Sequence, residues 1–89
     1  MKKSEYLKIL NPIIEEYEKY SYSFWKERID QVISLEGKTE SDEEYQIEIE
    51  AIWDDKPNEL IRVCFSIDNG GWRAYFPVSE SLLIKSNKV

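Results

Sequence analysis

The side chains able to do chemistry are few. Histidine is absent, which removes the commonest general acid–base group and the commonest transition-metal ligand. Cys64 is the only cysteine and sits inside an apolar run, with no imidazole in the chain to activate it; it reads as a small strand residue rather than a nucleophile. Two acidic groups remain. Asp42-Glu43-Glu44 and Asp54-Asp55-Lys56 offer the oxygen ligands that a hard cation takes. Neither has the glycine and terminal glutamate spacing of a calcium loop, and the second lacks the spacing of a metal-dependent nuclease site. Solvated loop charge is the better reading of both. Ile67-Asp68-Asn69-Gly70-Gly71-Trp72 has the glycines of a phosphate-binding loop, but such a loop opens a helix. The run after Gly71, Trp72-Arg73-Ala74-Tyr75-Phe76, is aromatic and strand-like. No catalytic residue, metal ligand or cofactor site is assigned, and the chain is not expected to be an enzyme.

Charge placement is more informative than catalytic type. The 89 residues carry a net charge of −6. Residues 1–35 balance to zero, residues 60–89 carry a net +2, and residues 36–59 hold ten acidic and two basic side chains, a net −8. Phosphate contacts need clustered Lys and Arg, so nucleic acid is not an expected partner. A basic protein surface is. No run approaches the roughly 20 apolar residues of a membrane span, and a single cysteine fits a reducing compartment; a cytoplasmic protein with no membrane partner is expected.

The elements that must position these charges emerge from apolar spacing. Leu10, Ile13, Ile14, Tyr17, Tyr20 and Phe24 recur at three and four residues, and Trp25, Ile29, Val32 and Ile33 continue the pattern. This predicts a helical part over 1–36, broken or kinked at Asn11-Pro12, with a second weak point at Ser21-Tyr22-Ser23 and a stop at Gly37. Residues 37–43 read as a loop. Residues 44–53 then alternate, Tyr45, Ile47, Ile49, Ala51 and Trp53 on one face and Glu44, Gln46, Glu48 and Glu50 on the other, the signature of a half-buried strand. Residues 54–59 connect to a second strand, 60–67, and 72–76 forms a third. A type I′ turn centred on Asn69-Gly70 places Ile67 opposite Trp72, Phe65 opposite Ala74 and Val63 opposite Phe76. It also sets Ser66 against Arg73 and Cys64 against Tyr75. Residues 79–84 suit a short helix capped by Ser79 or a further edge strand equally. The expected fold is α+β in one domain, 1–89: N-terminal helices on one face of a three-stranded antiparallel β-meander spanning 44–77. The three tryptophans, six tyrosines and three phenylalanines are enough to build its core. Trp25, Trp53 and Trp72 are read as core residues.

The stretch 47–84, IEIEAIWDDKPNELIRVCFSIDNGGWRAYFPVSESLLI, resembles the sheet half of small acidic bacterial immunity proteins encoded beside polymorphic or contact-dependent toxins. The resemblance rests on Trp53, the Asp68-Asn69-Gly70-Gly71-Trp72 turn and Pro77, and covers about 40 residues of the 89. It implies a stoichiometric inhibitor of a toxin domain, without activity of its own. Many such toxins are nucleases and therefore basic, which the acidic segment suits. Charge placement, not the resemblance, nominates the partner-binding residues: Glu40, Asp42, Glu43, Glu44, Asp54, Asp55 and Glu59 from the loops, and Glu48, Glu50 and Tyr75 from the sheet. A generic protein-interaction or regulatory module of a bacterial cytoplasm is the alternative.

Overall fold

The computed structural model of the chain describes residues 2–70 and 77–86. Helix α1 is Lys3–Tyr17 and α2 is the short Tyr22–Lys26. The strands are β1 Val32–Lys38, β2 Glu44–Asp55, β3 Leu60–Asp68 and β4 Val78–Lys85. They form one antiparallel sheet in the order β1-β2-β3-β4. The class is α+β, but the sheet has four strands, not the expected three.

α1 runs unbroken through Pro12. Pro12 cannot donate to the carbonyl of Lys8, yet both residues lie on the exposed side, where an unpaired carbonyl costs less than it would in the core. The inner stripe carries Tyr6 and Leu10, both fully buried, with Ile13, Ile14 and Tyr17 packed beside them. The second weak point does separate two helices: Ser21 caps α2, its Oγ accepting a hydrogen bond from the Phe24 N–H at 3.2 Å, which satisfies one otherwise orphaned donor.

The helical part stops well short of residue 36. Residues 32–38 form β1, pairing Ile33 with Ile49, Leu35 with Ile47 and Gly37 with Tyr45. The spacing Ile29-Val32-Ile33 fits a helix, but Ile33 and Leu35 also fit a strand, and two adjacent β-branched residues favour the extended backbone. Gly37 is therefore a strand residue rather than a helix stop. The Tyr45 ring lies across it, in the space a Cβ would take.

β2 and β3 lie as their alternation predicts. Ile47 faces Ile67, Ile49 faces Phe65 and Ala51 faces Val63, with an irregularity between Trp53 and Asp55. The predicted hairpin after β3 is overturned. Ile67 pairs with Val78, Phe65 with Glu80, Val63 with Leu82 and Ile61 with Ile84; Ser66 meets Ser79 and Cys64 meets Ser81. With β2 on one side of β3 and β4 on the other, the partners expected from 72–76 are already replaced. Residues 71–76, with Trp72, Arg73 and Tyr75, lie outside the described residues. Asp68 Oδ1 accepts from the Gly70 N–H at 2.8 Å, and Gly70 has φ +79°. Asn69 does not share that positive φ, so the type I′ turn expected at Asn69-Gly70 is not formed, and the chain's pairing with β3 begins at Val78. Of the two readings of 79–84, the strand holds, because Val78, Leu82 and Ile84 offer β3 an apolar ladder.

Ile61, Val63, Phe65 and Ile67 are fully buried, which marks β3 as the centre of the core. α1 lies over β3 and β4, and α2 over β3. Trp25 closes this layer, with the Phe24 ring edge-on at 4.9 Å and Tyr17 at 6.0 Å between centroids. Trp53 is half-buried on the same side, opposite Ile61.

Candidate functional site

Both helices lie on one side of the sheet, and no described element covers the other face. Its residues are set by the register. From one end, the rows are Lys38-Glu44, Glu36-Gln46-Asp68, Ser34-Glu48-Ser66-Ser79, Val32-Glu50-Cys64-Ser81, Ile52-Arg62-Leu83 and Leu60-Lys85. Glu36, Glu44, Glu48 and Glu50 are exposed. Ser34 and Ser66 flank Glu48, and Cys64 lies beside Glu50, so the two carboxylates stand above a low surface. They are two positions apart on one strand, about 6.7 Å. Gln46 Nε2 donates to Glu48 Oε1 at 3.2 Å.

The far end of this face has a different character. Arg62 Nε donates to Asp54 Oδ1 at 2.9 Å and its Nη1 to Ser81 Oγ at 2.9 Å. The guanidinium is thus held between β2 and β4, with Ile52 and Leu83 as its neighbours across the strands. Leu83 is 48% exposed and Val32, one row away, 51% exposed.

The structure separates the predicted site residues. The β1–β2 loop, with Glu40, Asp42 and Glu43, is at the acidic end of the sheet; the β2–β3 loop, with Asp54, Asp55 and Glu59 around it, is at the other, about 35 Å away along β2. They form no common rim. Asp42 and Glu44 both approach Lys38 Nζ, at 3.6 and 3.8 Å. The Glu43 N–H donates to Thr39 Oγ1 at 3.1 Å and so closes its loop. Asp54 is held by Arg62. Asp55 is occupied with the turn, its Oδ2 accepting from Asn58 Nδ2 at 2.7 Å, and Glu59 ends that turn at φ +55°. Glu40 is exposed at its loop tip. Tyr75 lies outside the described residues. Glu48 and Glu50 are brought together on the sheet, as expected, and are joined by Glu36 and Asp68. The sequence reading misses those two, because it puts Glu36 in a helix and Asp68 in a hairpin. Alternation through Ile33, Leu35 and Gly37 is the signal that could have found Glu36.

Cys64 is half-buried on the open face between Glu50 and Ser81. Burial pushes its thiol above the ordinary range; Arg62 opposes this and Glu50 adds to it. That favours the protonated, unreactive form. Among the described residues, no three carboxylates or thiols converge where a metal ion could be held. No described helix is long and apolar enough to cross a membrane. The chain matches no known family model, no curated protein and no solved structure.

Proposed function

We propose that this protein acts by binding another protein: an immunity-type inhibitor that neutralises a basic, nuclease-like toxin domain through its acidic surface, in a bacterial cytoplasm. The observation that carries the reading is the exposed carboxylate group on the open sheet face, Glu36, Glu44, Glu48 and Glu50, with Lys38 the only cation among the described residues that the register sets in their rows. Concentrated negative charge on a rigid sheet raises the rate of encounter with a cationic surface and orients it. It would occupy the toxin surface that normally meets phosphate. The resemblance of residues 47–84 to immunity proteins adds to this reading through Trp53 and Pro77; its glycine turn does not close the hairpin expected of it.

The test uses the immobilised chain and its Glu48→Lys/Glu50→Lys variant as baits in a lysate of the native host. The expected result is a basic protein held by the unchanged chain, released by salt, lost with the variant, and inhibited by one equivalent of chain. Retention indifferent to both salt and charge reversal, or a captured protein whose activity the chain leaves untouched, overturns the reading.

A further inference from the structure

Two of the three large apolar residues most exposed among those described, Val32 and Leu83, lie on the open face; the third is Tyr20. They stand on the opposite edge strands β1 and β4, with Ile52 and the stem of Arg62 between them, and Val32 is the cross-strand partner of Glu50. Isolated surface hydrophobics are ordinary. Apolar side chains strung across one face from edge to edge, bordering carboxylates, match the mixed apolar and charged make-up of a docking surface. Arg62 is fixed by Asp54 and Ser81, so little side-chain freedom is lost when a partner covers this end. Loops at opposite ends of the sheet cannot meet one compact partner together, whereas the face between them can.

We propose that this face of the sheet is a two-zone docking surface: a basic protein partner lays an apolar stripe across the strands over Val32, Ile52 and Leu83 and sets its lysines or arginines on Glu48 and Glu50. This rests on the reading of the protein as a binder of basic proteins and adds which surface is used and what the partner must present. A second copy of the chain is the poorer occupant, because the carboxylates of one face outnumber its cations and would meet their like. Extended cationic polymers satisfy only one zone, so they should bind weakly and without regard to the apolar end.

The experiment is a nuclear magnetic resonance titration of the isotope-labelled full chain with two synthetic probes. One is a helical peptide of about 18 residues with lysines at i and i+4 and leucines on the adjoining stripe; the other is polylysine of equal length. The expected result is that the lysine–leucine peptide shifts the amides of Ser34, Glu48, Glu50, Cys64 and Leu83, while Leu83→Ser weakens it about tenfold and leaves polylysine binding unchanged. Leu83 is exposed, so the variant should fold; Val32→Ser provides a second, independent check. Shifts confined to the 39–43 and 56–59 loops, or equal effects of Leu83→Ser on both probes, overturn the two-zone face but leave an acidic binder standing. Absence of binding by either probe, or equal binding of a glutamate–leucine peptide, overturns both.

Discussion

Cys64 shows how a residue with chemical potential is made inert by its setting. Its thiol is pushed up mainly by burial, against the pull of Arg62 and with the help of Glu50. A folded-state pKa above the unfolded one means the native state holds its proton longer. The resulting stability is present in full below the ordinary thiol range and is lost as pH rises through that range and beyond. Tyr17 is raised as well, by burial first and then by Tyr20 and Glu16, so its contribution falls at still higher pH. Urea unfolding between about pH 7 and pH 10 should therefore give falling midpoints, and Cys64→Ser should flatten the lower part of that fall. A midpoint that rises over the window would contradict the assignment. Alkylation of Cys64 at pH 8 should likewise be slower than that of free cysteine. At Gly37 the constraint is steric: a Cβ would enter the space of the Tyr45 ring. Gly37→Ala should cost about 1–3 kcal/mol by overpacking in the unchanged chain and much less when it is introduced into Tyr45→Ala. Additive losses in a double-mutant cycle would rule out that contact as the cause.

At the scale of elements, the test concerns Pro12. It lies within α1, exposed, and has no N–H to offer the Lys8 carbonyl. Pro12→Ala should allow that bond and raise stability by about 1–2 kcal/mol, less than the full helix-interior penalty because the site is exposed. A lower urea midpoint would mean instead that Pro12 is required to seat Tyr6 and Leu10. The same proline shows where the sequence misleads. Asn11-Pro12 is a good helix start in isolation, yet the stripe Tyr6-Leu10-Ile13-Tyr17 spans it, and burial on β3 outweighs the local signal. β2 and β3 were legible because ten and eight residues of strict alternation admit one reading. β1 was not, since Ile29, Val32 and Ile33 keep helical spacing while Ile33 and Leu35 keep extended spacing in the same short window. β4 was half legible: Ser79 suits a cap and Leu82-Leu83-Ile84 suits either element, and only the ladder with Ile61 and Val63 decides. The hairpin register failed because an apolar match is necessary for strand pairing but not sufficient, and a second match with Val78 exists farther along the chain. Of the site, Glu48 and Glu50 could be read from alternation alone, and so could the separation of the two acidic loops, which flank the single strand β2; the companionship of Glu36 and Asp68 depends on β1 and could not.

At the scale of the whole molecule, the balance of burial and charge suggests what has been kept at a cost. The helix side of the sheet is filled, and Phe65 at its centre is fully buried. The opposite face contributes little packing, since Ser34, Ser66, Ser79 and Ser81 have few apolar atoms to bury. Glu48 and Glu50 stand near each other and near Glu36 in a chain of net charge −6. Like charges this close destabilise the folded state slightly. If stability alone had shaped the face, some of these positions would carry neutral or basic residues. Glu48→Gln/Glu50→Gln should therefore leave the urea midpoint unchanged or raise it, by no more than about 0.5 kcal/mol. Salt should stabilise the unchanged chain more than the variant, since screening relieves repulsion that the variant no longer has. The same substitutions should slow association with a basic partner, and the slowing should shrink as salt is added. A variant that is clearly less stable, with or without salt, would show that the carboxylates serve the fold, and the case for a face held open for another protein would lose its physical ground.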